Sequence, residues 1–343
     1  MIALYNKIVR KKKKKTFHIQ WHITERCNLR CKHCYQDTFD SRHDLSPEDA
    51  KEVLANLFTF LEETDRRLTV DITGGEPFLF PSFYEILETL NQSELVERIG
   101  LITNGTFLDR KTIEHLSSYA KLSIIKISCE AVERRLFEEI RGQCYEKFLS
   151  AITTLNTFPR EKYLIFTLME QNKNQVPGLF SMCEEFCLDG FILERFFPMG
   201  AGRKIMSQSI HTKTWREIGK YLLKRCGLPA DINLIAPYRG FLLKRDKNGW
   251  DILGADCVIG KYGCAILNDG SVFPCRRFPV RLGSALEEPF SEIWQRHPFR
   301  KMSRKKLGGR CGRCNIRGCY GCRALAYCVT KDMYAQDPLC FLC

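Results

Sequence analysis

Strand-like apolar runs alternate with helix-length segments through the first part of the chain. Each run is short, and the segment after it is long enough for a helix to return along the sheet. This tandem order is typical of parallel α/β structure, either a barrel or a doubly wound sheet. The predicted strands cover 17–24, 68–72, 99–103, 122–128, 163–168 and 190–197.

The segment after residue 45 has a clear helix start. Ser46 is a predicted N-cap, Pro47 occupies the first helical position, and Asp49 adds an acidic group to the first turn. Apolar residues then recur at helical spacing, so we expect one face to pack on the sheet. These residues are Ala50, Val53, Leu54, Leu57, Phe58 and Leu61.

Two polar motifs follow the first two predicted strands. Cys27, Cys31 and Cys34 come after the first, and the second ends in a Gly-Gly-Glu-Pro turn at 74–77. Because the carboxyl ends of parallel strands share one crevice, we expect both motifs to meet there. A 4Fe-4S cluster normally takes four thiolates, so three cysteines leave one iron open to a small molecule.

The cysteine triad, the aromatic Tyr35 beside its last member and the Gly-Gly-Glu-Pro turn together resemble the radical S-adenosylmethionine (radical SAM) superfamily. The resemblance implies an α/β fold, a partial (β/α)6 TIM-like barrel. It also implies that Cys27, Cys31 and Cys34 bind a catalytic cluster. SAM bound to the open iron would then be cleaved reductively to a 5'-deoxyadenosyl radical.

The resemblance also implies a set of SAM contacts. Glu130 stands where relatives have aspartate, and an alternative reading of Arg141 is that it only caps or solvates a helix. Glycines 74 and 75 lack a Cβ, which we expect to allow close approach of the backbone to the ligand. The implied contacts are Tyr35, Gly74, Gly75, Glu76, Pro77, Asn104, Ser128, Glu130 and Arg141.

Nine of the 18 cysteines lie between Cys257 and Cys340. Their array, with its terminal Asp-Pro-Leu-Cys, resembles the SPASM domain, which carries two auxiliary 4Fe-4S clusters. The resemblance thus implies three clusters in all, one of them SAM-binding. Shorter spacing before Cys322 leaves open whether Cys328 replaces it. The implied ligands are Cys257, Cys264, Cys275 and Cys322 for one auxiliary cluster, and Cys311, Cys314, Cys319 and Cys340 for the other.

Other roles for the cysteines remain open. Two zinc sites are an alternative for the array 311–340, because paired Cys-x-x-Cys elements are also zinc-ribbon spacing. Disulfides are not expected, since a cytosol keeps thiols reduced and no secretory signal is seen. Cys183 and Cys187 share a predicted helix face and are a metal-site alternative to simple packing. The remaining cysteines are Cys129, Cys144 and Cys226, read as packing residues, and Cys343, with no assigned role.

The 343 residues predict a basic N-terminal arm (1–16), a radical SAM barrel (17–203), a bridging segment (204–256) and a SPASM domain (257–343). The net charge of +13 includes a basic block at 10–15, read as a solvated arm. The sequence contains no run of about twenty apolar residues, so no membrane span is predicted. We expect a cytoplasmic protein, and no motif indicates nucleic-acid binding.

Three functions are compatible with these motifs. The first is a maturase that oxidatively modifies a peptide or protein side chain, for example by a thioether or carbon–carbon crosslink. Its expected partners are a flavodoxin or ferredoxin as electron donor and a separate leader-peptide-binding protein. Arg276 stands where anaerobic sulfatase maturases place an aspartate, which argues against that activity.

The second function is radical modification of a tetrapyrrole side chain in haem or haem d1 synthesis, which the tail from Cys322 to Cys340 resembles. Arg276, Arg277 and Arg281 would then pair with propionates, because a guanidinium matches the geometry of a carboxylate. The third is an iron-sulfur electron-transfer protein without catalysis.

Overall fold

The computed structural model describes residues 16–342 apart from positions 237, 256, 317 and 341, so the basic block of the predicted arm and Cys343 lie outside it. All six strands predicted from the apolar runs are present. The strands are β1 Thr16–His22, β2 Arg67–Thr73, β3 Val96–Thr103, β4 Leu122–Ser128, β5 Glu161–Leu168, β6 Gly190–Arg195, β7 Gly240–Asp246, β8 Gly249–Gly254, β9 Gly263–Ile266, β10 Ser271–Phe273 and β11 Gly283–Ser284.

The described strands form a single sheet in the order β11-β10-β9-β1-β2-β3-β4-β5-β6-β7-β8. Strands β1 to β6 lie side by side in chain order, and each pair is parallel. A doubly wound sheet reverses its strand order at a switch point, so this uninterrupted order excludes that alternative. The predicted partial (β/α)6 barrel is confirmed.

Later segments of the chain extend both edges of this barrel sheet. At one edge, β9 pairs in parallel with β1, and β10 and β11 continue from it as antiparallel strands. At the other edge, β7 pairs antiparallel with β6 and forms a hairpin with β8. The predicted bridging segment and the cysteine-rich region therefore both contribute strands to the barrel sheet.

The predicted helix start at Ser46 is confirmed, since its side chain accepts a hydrogen bond from the backbone N–H of Asp49 at 3.0 Å. Phe60 is fully buried in that helix, whereas Phe58 is only half-buried. No helix in the described part of the chain is both long and apolar enough to cross a membrane. The helices are α1 Pro47–Glu63, α2 Phe83–Gln92, α3 Arg110–Ser118, α4 Arg134–Arg141, α5 Tyr145–Leu155, α6 Val176–Glu185, α7 Thr212–Arg225, α8 Phe290–Gln295, α9 Gly309–Arg313 and α10 Arg323–Thr330. Short 3-10 turns occupy Pro77–Leu79, Glu170–Gln175, Gly200–Gln208, Ile232–Leu234, Pro298–Lys301 and Arg304–Lys306.

An aromatic cluster joins the barrel to the C-terminal region. The ring of Phe17 on β1 meets Phe60 at 5.0 Å, Trp294 at 4.8 Å and Phe290 at 6.0 Å between centroids. Edge-to-face pairs of this kind add to the stabilisation from apolar burial. Asn56 on α1 donates to two backbone carbonyls of the C-terminal region and accepts from the backbone N–H of Phe290. The two regions therefore share one hydrophobic core.

Candidate functional site

A cavity lies where the strands of the barrel end. Its lining comes from the ends of β1 to β6, from the loop after β1 and from the C-terminal region. Of the implied SAM contacts, Glu76 and Pro77 do not line this cavity. The implied residues that do are Cys27, Cys31, Cys34, Tyr35, Gly74, Gly75, Asn104, Ser128, Glu130 and Arg141.

The loop that carries the three cysteines is fixed at both ends. The Thr24 hydroxyl donates to Asp44 at 2.6 Å, and the Thr24 carbonyl accepts from the N–H of Gly75 at 2.8 Å. Past the last cysteine, the carbonyl of Cys34 accepts from the N–H of Gly202 at 2.9 Å. Both barrel motifs are therefore held together at one end of the sheet, as their positions after parallel strands predict.

The three thiols fit a cluster with one open iron. Burial raises the pKa of Cys27, Cys31 and Cys34, and that of Cys31 reaches about 12. Because a metal ligand must be deprotonated, bound iron would have to supply the charge that keeps these thiolates ionised. No three His, Cys, Asp or Glu side chains among the described residues converge on a single-ion site. A four-iron cube instead takes one thiolate at each of its separate irons.

Glycines 74 and 75 permit a close approach of one chain segment to another. Gly74 has a φ of +142°, and a Cβ there would lie 2.4 Å from the carbonyl oxygen of Thr24. A Cβ on Gly75 would lie 2.1 Å from the carbonyl oxygen of Arg26. A Cβ at either position would therefore also clash with backbone, whatever ligand the cavity holds. These glycines allow the Gly-Gly-Glu turn to pack on the cysteine loop.

Glu76 orients the end of β3. Its carboxylate accepts from the Thr103 hydroxyl at 2.7 Å and from the backbone N–H of Asn104 at 2.8 Å. The side chain is fully buried, and burial raises its pKa to about 7. Both carboxylate oxygens therefore accept hydrogen bonds from the end of β3. This explains why Glu76 is not among the residues that line the cavity.

We expect Glu76 to make the native state less stable as pH rises. Its folded pKa of about 7 lies above its ordinary value of 4.5. Between these values the native state holds a proton that the unfolded chain has released, so stability falls as pH rises through that window. Denaturant titrations at about pH 6 and pH 8 should differ by on the order of 1 kcal/mol from this group. Glu76→Gln should lose that contribution.

Glu85→Gln is the matched control for this prediction, because the Glu85 side chain is 59% exposed on α2. It should keep the pH dependence of the natural chain. An unchanged pH dependence in Glu76→Gln would contradict the assignment.

Asn104 connects the end of β3 to the cysteine loop. Its amide nitrogen donates to the side chain of Asn28 at 2.8 Å and approaches the sulfur of Cys27 at 3.9 Å. Its amide oxygen accepts from the backbone N–H of Thr106 at 2.9 Å. Asn104 therefore links the end of β3 to the first cysteine on the cavity wall.

Glu130 and Arg141 form a buried ion pair on the cavity wall. Both side chains are at most 3% exposed, and His33 adds a contact to Glu130 at 3.3 Å. Burial would raise the pKa of Glu130, but the Arg141 guanidinium outweighs it and holds that pKa at about 2. Arg141 is thus neither an exposed residue nor a simple helix cap, because the Glu130 carboxylate fixes it in place.

The wall opposite the first two strands contains residues that the motifs did not identify. Glu194 and Arg195 end β6, and Phe196 and Phe197 follow them into the cavity lining. Arg277 also lines the cavity and pairs with Glu194. The sequence signal was a charged pair at the carboxyl end of a buried strand, since such positions face the crevice.

Three of the four cysteines of the first implied auxiliary set are neighbours. Burial raises the pKa of Cys275 and that of Cys322, the latter to about 12, and the nearby Cys257 thiol adds to both shifts. Cys264 is buried on β9, where burial alone raises its pKa. Cys328 instead donates to the carbonyl of Pro198 at 3.6 Å. The contact of Cys328 with Pro198 therefore favours Cys322 over Cys328 as the fourth member of this set.

The four cysteines of the second implied auxiliary set share one pocket. Two arginines contact their sulfurs: Arg239 donates to Cys319 at 2.6 Å, and Arg323 donates to Cys311 at 3.5 Å. The pocket lies outside the barrel cavity, so we call it the outer pocket. The cysteines that line it are Cys311, Cys314, Cys319 and Cys340.

Asp337 connects the barrel to both auxiliary cysteine sets. Its carboxylate accepts from Arg195 at 3.0 and 3.1 Å and from the backbone N–H of Cys322 at 2.8 Å. Its own N–H donates to the sulfur of Cys311 at 3.3 Å. Burial would raise the pKa of Asp337, but Arg195 outweighs it and holds that pKa at about 2. This carboxylate is the structural link between the end of β6 and the cysteine array.

The remaining cysteines do not form a site in the described residues. Cys129, Cys144 and Cys183 are buried, in agreement with a packing role. The predicted shared helix face of Cys183 and Cys187 is wrong, because α6 ends at Glu185. Cys187 is exposed and has a φ of +52°, so it lies beyond the helix and away from the buried Cys183.

Comparison with known proteins assigns families to both regions. Residues 21–183 match the model of the radical SAM superfamily, and residues 257–315 match that of SPASM, an iron-sulfur cluster-binding domain. The chain is 27% identical to an AdoMet-dependent heme synthase of Methanosarcina barkeri, over 94% of this chain and 95% of that protein. It is 24% identical to the subtilosin biosynthesis protein AlbA of Bacillus subtilis, over 88% of this chain and 67% of that protein.

A solved structure has the same fold. The SuiB protein of Streptococcus suis, bound to its precursor peptide SuiA, superposes with a TM-score of 0.70 at 17% identity. The match covers 98% of this chain and 80% of SuiB. At this identity the similarity concerns the fold alone.

Proposed function

The chain is a radical SAM protein with a C-terminal SPASM domain, and we propose that it is an enzyme that modifies a side chain of a carboxylate-bearing tetrapyrrole. When bound, the cluster and SAM would supply a radical able to abstract hydrogen from carbon. The observation that carries the substrate choice is the end-to-end match to a heme synthase, which leaves only about a twentieth of either protein unmatched.

The cavity suits a flat substrate with anionic groups. Tyr35, Phe39, Phe196 and Phe197 give it an aromatic lining. Aromatic rings pack against a planar conjugated ligand by offset stacking. Arg277 lies on the same wall, so its guanidinium is available to a propionate that displaces Glu194.

The chain's own residues have separate parts in this proposal. Cys27, Cys31 and Cys34 would hold the SAM-binding cluster, and the turn at 74–77 positions the cysteine loop. Arg276 lies 5.0 Å from the Tyr35 ring, beside the last of these cysteines. The segment after Cys275 would therefore place the auxiliary region next to the substrate.

We further propose that the full set of metal sites is three 4Fe-4S clusters. The second is assigned to Cys257, Cys264, Cys275 and Cys322. The third is assigned to the outer pocket. An electron donor such as a flavodoxin or ferredoxin would supply the cleavage electron. Iron analysis of anaerobically loaded protein should give about twelve iron atoms per chain.

Binding of an iron porphyrin tests the substrate class. An iron porphyrin with propionate side chains should shift its Soret band on addition of the loaded enzyme, whereas an alkyl-only iron porphyrin should bind about tenfold more weakly, as expected when charge-assisted hydrogen bonds are lost. Arg277→Gln should weaken the propionate form by a similar factor. Arg281→Gln is the control: Arg281 was expected from the sequence to pair with a propionate, but it is 52% exposed, pairs with Glu287 and is not among the residues that line the cavity.

A peptide side chain is the second candidate substrate, favoured by the similarity to the bacteriocin biosynthesis protein AlbA. With SAM and reductant, a genuine peptide substrate encoded nearby should lose the mass of two hydrogens. Such a loss, together with an unchanged Soret band, would overturn the tetrapyrrole assignment.

A further inference from the structure

The outer pocket is surrounded by positive charge. Arg239, Arg310 and Arg313 line it, and the described lining contains no carboxylate. A 4Fe-4S cluster with four thiolates is anionic and gains one more negative charge on reduction. The positive charge of the lining therefore suits an anionic cluster that becomes more negative on reduction.

Two guanidiniums contact cluster-ligand sulfurs directly. Arg239 donates to the Cys319 sulfur at 2.6 Å and has a side chain only 15% exposed. Arg323, which is 3% exposed, donates to the Cys311 sulfur at 3.5 Å. Because both arginines are largely shielded from water, their charges act on the site with little screening.

The backbone and a buried carboxylate hold these two arginines in place. Arg323 also donates to the carbonyls of Met333 and Ala335. Asp337 lies 3.6 Å from Arg239, but the same carboxylate makes a closer contact with Arg195. One carboxylate is thus shared between two guanidiniums. The charge of Arg239 is therefore only partly compensated by Asp337, and the remainder acts on the Cys319 sulfur.

We propose that Arg239 and Arg323 raise the reduction potential of the cluster held by Cys311, Cys314, Cys319 and Cys340. Cluster potentials depend on net charge, hydrogen bonds to the sulfurs and solvent exposure, and the first two are supplied here by the same side chains. Both effects stabilise the reduced form, which carries the additional negative charge. The inference rests on the third cluster assigned under the proposed function.

An EPR-monitored redox titration of the loaded full-length chain tests this inference, with dithionite as the source of the electron. In Arg239→Gln one midpoint potential should become more negative by about 59 mV, a tenfold change for a one-electron couple. The potential of the cluster proposed for the barrel cavity should stay where it is in the natural chain. Arg239→Lys keeps the charge and should recover most of the shift.

Arg313→Gln is the matched control, because Arg313 lines the same pocket but is exposed and makes no sulfur contact among the described hydrogen bonds. Because water screens an exposed charge, its three potentials should shift by much less than that of the affected cluster in Arg239→Gln. If Arg239→Gln does not fold, Arg323→Gln probes the same cluster from α10. Unchanged midpoint potentials in both Arg239→Gln and Arg323→Gln overturn the inference. An iron content that Cys311→Ala leaves unchanged instead overturns the third cluster itself, and the inference with it.

Discussion

Replacing Cys27, Cys31 and Cys34 together by alanine is expected to abolish formation of 5'-deoxyadenosine from SAM. The three thiols line the cavity at the end of the barrel and are the proposed ligands of the SAM-binding cluster. Iron content should fall by about four atoms per chain, because the C-terminal cysteines would bind the two other proposed clusters independently. Chromatographic product analysis and iron determination on the same sample measure both effects.

Two single variants provide controls for this prediction. Cys187→Ala removes an exposed thiol beyond α6, and Cys328→Ala removes one that contacts Pro198. Both should keep the natural iron content and SAM cleavage. Persistent SAM cleavage in the triple variant would disprove the assignment of the cavity, and a loss of iron in Cys328→Ala would move that residue into the first auxiliary set.

Replacing Asp337 by asparagine is expected to cause a large loss of stability, because the substitution removes the negative member of a buried ion pair. Its carboxylate and the facing Arg195 are each about 1% exposed, and Arg239 lies within 3.6 Å. Asparagine leaves two buried guanidiniums without their counter-charge, and breaking a buried ion pair costs about 3–5 kcal/mol. Anaerobic denaturant titration of the loaded protein measures the free energy of unfolding.

An exposed ion pair supplies the comparison for Asp337→Asn. Arg110 and Glu114 on α3 are 84% and 62% exposed, so Glu114→Gln should cost no more than about 0.5 kcal/mol. A similar small cost for Asp337→Asn would mean that water reaches the buried pair. The Asp337 contacts between β6 and the cysteine array would then contribute little to the free energy of unfolding.

The barrel was predictable because its signals are local. Apolar runs located all six strands, and the cap at Ser46 located the first helix. The choice between a barrel and a doubly wound sheet was not local, since it depends on which strands become neighbours. For the same reason the sequence did not indicate that β9 pairs with β1.

The candidate site likewise has a part that local motifs predict and a part that depends on contacts between distant residues. The cysteine triad and the turn at 74–77 are short motifs that follow strands, and they meet as expected. The pairing of Arg195 with Asp337 joins residues 142 positions apart, and no local pattern links them. The contacts of Glu76 with Thr103 and Asn104, and of the glycines with the cysteine loop, could not be predicted, because a sequence does not reveal which neighbouring backbone a turn will touch.

The attachment of C-terminal strands to both margins of the barrel sheet has a consequence for dissection of the molecule. A fragment ending near residue 203 would lose β7 from one margin and β9 from the other. The backbone N–H and C=O groups of β1 and β6 would then be open to pairing with other copies. We therefore expect the isolated barrel strands to self-associate, and the later strands β7 and β9 to prevent this in the full chain.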